Sequence, residues 1–256
     1  MPAGGRTVVL LAVVVSILVS GRGYGQQDGR GPESNRVIDI AGERTTLKTA
    51  ADKPFAAYLV GPKEAPRGIL IIYTAAGLSD PARTWADELG KLGYRAITVD
   101  LYDAAATPHA GPGPTFQSLD QNDANAKYRA ALEALHEPGR SLAIFGVCAG
   151  GGQALEASLA APDLVAATVS YYGRPAVDVK RLVHLRSPVL AIYAKGDGSP
   201  AEIRAFQAAM HGAGKVLEVQ TYDDGPCTAS REGDAKHQGA RPAWQTARDF
   251  LNRYLK

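Results

Sequence analysis

The stretch Ser141-Leu142-Ala143-Ile144-Phe145-Gly146-Val147-Cys148-Ala149-Gly150-Gly151-Gly152 decides how this chain is read. Its first half is a continuous apolar run, as suits a strand covered on both faces. Its second half is glycine-rich and leads into Gln153–Ala161, which continues as a helix. A strand that turns tightly into a helix, with one reactive side chain at the apex, is the arrangement of a nucleophile elbow. Gly146 and Gly150, two residues before and two after Cys148, let the backbones pass at such a turn. A thiolate at Cys148 would be favoured by the positive end of the helix dipole and by free backbone N–H groups. The N–H of Ala149 would point at a developing oxyanion. The bland alternative is a buried structural cysteine beside a tight glycine turn. A nucleotide loop is not supported, because the glycine spacing does not fit Gly-x-Gly-x-x-Gly and no Lys-Ser/Thr pair completes a P-loop.

Working outward, strands alternate with helices. Gly68–Tyr73, Arg95–Val99, Ala166–Tyr172, Pro188–Tyr193 and Val216–Thr221 read as further strands. Helices are predicted at Pro81–Leu92, Phe116–His136, Ala201–His211 and Pro242–Leu255. The first has Asp80 as N-cap, Pro81 at its first position and Gly93 as its stop. Val37–Ile40, Thr45–Lys48 and Phe55–Val60 ahead of them look like two or three antiparallel strands. The expectation is an α/β fold, a mostly parallel sheet with helices on both faces.

Composition bounds what such a chain can be. At 256 residues, 45% hydrophobic and 21% charged, it has the make-up of one globular domain and needs no disulfide framework. Two cysteines exclude a four-thiolate metal centre. Residues 1–25 hold Arg6 and Arg22 and no acid, so the rest carries 26 basic and 26 acidic residues. That balance, with no basic stripe, gives no nucleic-acid footprint. Val8–Val19 is an uncharged run of twelve that follows Arg6 and leads to Gly23-Tyr24-Gly25. As a helix it would reach about 18 Å, short of a hydrocarbon core of ~30 Å. It reads as a secretory signal peptide over 1–25, followed by a polar tether over 26–36 and the domain over 37–256. A secreted or periplasmic monomer with no stable membrane association is expected.

With the elbow placed, the chain resembles the dienelactone hydrolase family of α/β-hydrolases. The likeness rests on Gly146-Val147-Cys148-Ala149-Gly150-Gly151, Tyr73-Thr74-Ala75-Ala76-Gly77, and Gly93-Tyr94-Arg95-Ala96 leading to Asp100-Leu101-Tyr102. Ala243-Trp244 and Phe250-Leu251 near the C-terminus complete it. The resemblance implies an eight-stranded hydrolase sheet and cleavage of small esters or lactones by a Cys-Asp-His triad, without metal or cofactor. Cys148 matches the nucleophile, and Asp197, in Tyr193-Ala194-Lys195-Gly196-Asp197, the acid. Ala75 matches the second oxyanion donor beside Ala149.

Two positions depart from the family pattern. Thr74 stands where the family has a glutamate. In Tyr222-Asp223-Asp224-Gly225-Pro226-Cys227-Thr228, Cys227 stands at the family's histidine position or within a residue of it. Among the five histidines, His136 and His211 sit at helix ends and His184 precedes a strand, as structural or surface residues do. His237, ten residues after Cys227, can serve as base if its loop folds back over the site. His109, in the loop after Asp100, is placed to contact substrate, as are Thr74 and Cys227. If Cys227 faces the cleft, the two cysteines either pair in a disulfide or remain two separate thiols; pairing requires loop movement. Two readings stand beside the hydrolase: a binding protein that keeps the fold and the elbow but not the catalysis, and a protein redox-controlled through Cys148 and Cys227.

Overall fold

Alternate residues of the central strands face opposite layers of helices, and this builds the molecule. The computed structural model describes residues 42–73, 78–102, 119–174, 178–196, 199–223 and 242–256. The segments 1–25 and 26–36 and the expected strand Val37–Ile40 lie outside the described residues. The chain divides after Ser34, and everything described belongs to the unit Asn35–Lys256.

Eight strands form one sheet: β1 Glu43–Lys48, β2 Pro54–Val60, β3 Arg67–Ile72, β4 Arg95–Val99, β5 Ser141–Val147, β6 Val165–Tyr171, β7 Val189–Ala194 and β8 Leu217–Tyr222. Their spatial order is β1-β2-β4-β3-β5-β6-β7-β8. The pairs β1–β2 and β2–β4 are antiparallel and all others parallel. The described helices are α1 Asp80–Lys91, α2 Gln121–Leu135, α3 Gly150–Ala160, α4 Pro200–Gly212 and α5 Pro242–Tyr254.

Ile69, Ile71 and Tyr73, with Ala143, Phe145 and Val147, pack under α1 and α5. Leu70 and Ile72, with Leu142 and Ile144, pack under α2 and α3. This period of two with both faces apolar is why these strands read as unbroken hydrophobic runs. The first face is aromatic. Trp85 of α1 lies 5.7 Å from Phe145 and 5.9 Å from Trp244 of α5, and Phe145 lies 5.4 Å from Tyr171. Each such ring, fully buried, stabilises the fold by roughly 1.5–3 kcal/mol. The elbow of β5 stands directly above this cluster.

Two expected helix starts shift. Ser79, not Asp80, is the N-cap of α1; Asp80 already lies in the first turn, where its carboxylate pairs with Arg83. Pro81 fits there because first-turn N–H groups have no intrahelical partner. The long helix expected from Phe116 begins at Gln121 among the described residues. Asp120 caps it by accepting from the N–H groups of Asn122 and Asp123, and this side-chain capping sets the boundary. The stop at Gly93 holds, with φ at 87°.

Candidate active site

Strand β5 ends at Val147 and α3 starts at Gly150, so Cys148 and Ala149 make the whole connection. Cys148 has φ 55°, a left-handed backbone that costs a side-chain-bearing residue roughly 1–2 kcal/mol. Its surroundings hold it there. The Cys148 N–H donates to the Tyr171 carbonyl of β6 at 2.9 Å, and its own carbonyl accepts from Gly151 N–H at 2.9 Å. On the other side, Gly150 N–H donates to the Tyr73 carbonyl at the end of β3, 3.2 Å away. The elbow is thus tied to both strands that flank β5.

The glycines are required by close approach. A Cβ on Gly146 would lie 2.3 Å from the Gly150 carbonyl oxygen, and one on Gly150 would lie 1.9 Å from that of Ile72. A Cβ on Gly151 would meet Gly173 Cα at 2.5 Å. The first two are the positions picked out by spacing. The Gly151–Gly173 contact, which lets α3 approach the exit of β6, has no local signature because its partners are 22 residues apart.

Cys148 is half-buried and rests on the aromatic layer, while Ala149 is exposed. The Ala149 amide makes no turn or cap hydrogen bond among the described residues, as suits the first N–H groups of a helix. The Cys148 sulfur is disulfide-bonded.

Neighbouring residues fix the frame of the site. Gln153, one turn into α3, accepts from Gln121 at 3.1 Å and from the Tyr128 hydroxyl at 3.1 Å, and donates to Gln121 at 2.9 Å. These bonds pin the start of α2 to the elbow helix. Asp100, buried at the end of β4, accepts from Tyr102 N–H at 3.0 Å. The buried ammonium of Lys127 donates to the Leu101 carbonyl at 3.1 Å and pairs with Asp123 at 3.0 Å. Tyr193, at the end of β7, has its phenol pushed up to about 12, first by burial and then by the charge of Glu202. Reading the sequence missed this polar frame, since its members are 26 and 32 residues apart and match no motif.

Of the residues singled out from sequence, Cys148 and Ala149 are described. Thr74, Ala75, His109, Asp197, Cys227 and His237 lie outside the described residues. His136, His184 and His211 are exposed and lie just before β5, β7 and β8. That is the end of the parallel strands opposite Cys148, which follows the C-terminal end of β5. Among the described residues no cluster of three or more His, Cys, Asp or Glu could hold a metal ion, and no helix is long and apolar enough to cross a membrane.

The sequence profile of the dienelactone hydrolase family matches residues 55–255. The chain belongs to the dienelactone hydrolase family. Protein usf of Aquifex pyrophilus is 22% identical over 227 residues, which cover 77% of this chain and 93% of that one. A dienelactone hydrolase from Anabaena variabilis superposes with TM-score 0.65 at 20% identity, covering 85% of this chain and 99% of its own. A dienelactone hydrolase-like promiscuous phosphotriesterase from metagenomic libraries gives TM-score 0.66 at 17% identity, with 85% and 99% covered. The sheet order and these superpositions make this an α/β-hydrolase fold, and membership makes the chain a dienelactone hydrolase-like hydrolase.

Proposed function

We propose that this dienelactone hydrolase acts on small carboxylic esters or lactones through the thiolate of Cys148. The observation that carries the reading is the elbow: Cys148 at φ 55° directly ahead of α3. In its reduced form the Cys148 thiolate attacks the ester carbonyl carbon. The carbonyl π-electrons move to oxygen, and the amides of Ala149 and Ala75 stabilise that oxyanion. Collapse expels the alkoxide, which takes a proton, and leaves a thioester on Cys148. Water then attacks the thioester, releases the acid and restores the thiolate.

Asp197, three residues beyond β7, orients the base, and His237 acts as that base. Thr74, His109 and Cys227 contact the substrate. The protein works as a monomer needing no cofactor, exported after removal of residues 1–25; N-terminal sequencing of the secreted form tests the leader.

The reaction is tested by steady-state hydrolysis of 4-nitrophenyl acetate by the reduced protein. Cys148→Ala is expected to lower kcat/KM by roughly 10³-fold or more. His237→Ala is expected to lower it by roughly 10²–10⁴-fold. Undiminished hydrolysis in Cys148→Ala would refute the assignment. An inert wild-type protein, reduced and folded, would leave a binding protein on a hydrolase scaffold.

A further inference from the structure

The elbow cysteine is not a free thiol. Cys148 is disulfide-bonded, and among the described residues no cysteine is free. The sequence holds one other cysteine, Cys227. We propose that a Cys148–Cys227 disulfide is a reversible redox lock on the hydrolase, released by a dithiol reductant. This rests on the hydrolase reading above and adds its regulation.

The chemistry of the lock follows from where Cys148 stands. A sulfur already bonded to another sulfur is no thiolate and cannot form the thioester, so the oxidised chain is latent. Reduction begins when one thiolate of the dithiol attacks the Cys227 sulfur. A mixed disulfide forms there, and Cys148 departs as thiolate. The second thiol of the reductant, deprotonated, then attacks its own sulfur in the mixed disulfide. Cys227 leaves and takes a proton, and the reductant becomes a cyclic disulfide. Two electrons and one proton pass from the dithiol, which enters as a monothiolate, to the protein, where Cys148 remains a thiolate.

Attack falls on Cys227 because a thiol of lower pKa is the better leaving group. Cys148, immediately ahead of α3, is where the helix dipole favours a thiolate. The feature that makes it a nucleophile therefore also makes it the group expelled. The hydrogen bonds that hold its left-handed backbone run through main-chain atoms of Tyr171 and Gly151 and do not involve the sulfur. Reduction thus frees the thiolate in a turn already built. A purely structural staple has less to do here, since an eight-stranded sheet with buried faces on both sides supplies a core that small disulfide scaffolds lack.

The test takes the full chain equilibrated with oxidised glutathione and desalted. Free thiols, iodoacetamide labelling of Cys148 by peptide mass, and 4-nitrophenyl acetate hydrolysis are measured before and after dithiothreitol, then again after reoxidation. No free thiol and background hydrolysis are expected at first. After reduction two thiols are expected, with labelling of Cys148 and a rate increase of roughly tenfold or more. Reoxidation should reverse all three. In Cys227→Ser, prepared without oxidised glutathione, the ratio of rates with and without dithiothreitol should be unity. With the monothiol glutathione, the first adduct should map to Cys227. Two free thiols in the oxidised preparation, equal rates before and after reduction of an active enzyme, or an adduct on Cys148 would overturn the lock. If labelling switches but no ester is turned over in either state, the hydrolase reading falls while the reversible lock on Cys148 stands.

Discussion

Cys148 and Tyr172 leave neighbouring strands, β5 and β6, with almost the same left-handed backbone, φ 55° and 54°. Their surroundings diverge at the next residue. After Cys148 a helix begins within two positions, the side chain is half-buried and the following residue is exposed. After Tyr172 comes Gly173, packed against Gly151, and the Tyr172 ring is buried in T-shaped contact with Tyr171 at 4.7 Å. Its N–H donates to the Ile192 carbonyl at 2.8 Å. A third left-handed residue, Asp52, sits in the β1–β2 hairpin, where a short polar side chain tolerates that conformation. Backbone strain alone therefore does not mark a reactive position. What separates Cys148 is a helix N-terminus beside it and partial access to solvent. The strain at Tyr172 serves packing, because it turns the chain so that α3 can lie close to β6.

The strongest way to break the comparison is to spoil the close approach that allows one turn and not the other. Gly150→Ala places a Cβ 1.9 Å from the Ile72 carbonyl oxygen, and a loss of about 3 kcal/mol or more in urea unfolding is expected. Gly212→Ala, at the end of α4 with open space around it, should instead be neutral or stabilise by up to about 1 kcal/mol.

The two strained positions can be weighed next. In each case the glycine variant should be more stable than the alanine variant by about 1–2 kcal/mol. This applies to Cys148→Gly against Cys148→Ala and to Tyr172→Gly against Tyr172→Ala. Both Tyr172 variants should fall below wild type, because an emptied aromatic site costs about 3–5 kcal/mol. Equal stability of the glycine and alanine forms would remove strain from the account.

A smaller effect is expected beneath the elbow. The Ser170 hydroxyl is buried without a hydrogen-bond partner among the described residues, close to Gly151 and Gly173. Ser170→Ala should therefore change stability by between zero and a gain of about 1 kcal/mol. The mildest effect is a pH dependence. The Tyr193 phenol is raised to about 12, so its neutral form is favoured by folding. Its contribution is complete below the unfolded value of about 10 and is lost as pH rises toward 12. Thermal unfolding of Tyr193→Phe should show a shallower decline over that window than wild type.

Much of this architecture can be read without coordinates, for physical reasons that also mark the boundary. Strands β3, β4, β5 and β7 are buried on both faces, so each is a run of apolar residues with few alternative conformations. The elbow is legible because one of its close approaches, Gly146 against Gly150 and Ala154, falls between residues a few positions apart. The crossover that places β4 between β2 and β3 leaves no local trace. The same holds for the left-handed Tyr172, an aromatic residue at a position that favours glycine. Two helix starts shifted: Ser79, whose side chain makes no capping hydrogen bond, took the place expected of Asp80, and the Asp120 side chain set the start of α2. Of the candidate site, Cys148 and Ala149 were legible because the elbow is local. The frame of Gln121, Gln153, Asp100 and Lys127 was not, because it assembles only when α2 and α3 pack.

Rapid mixing tests whether the left-handed cysteine ahead of α3 is a working nucleophile. The reduced protein is mixed with 4-nitrophenyl acetate, quenched during the first turnover and examined by intact mass and peptide mapping. A burst of nitrophenolate matched by one acetyl group on Cys148 is expected, with neither in Cys148→Ala. A burst with the acetyl group on another residue, or a burst that survives in Cys148→Ala, would contradict it.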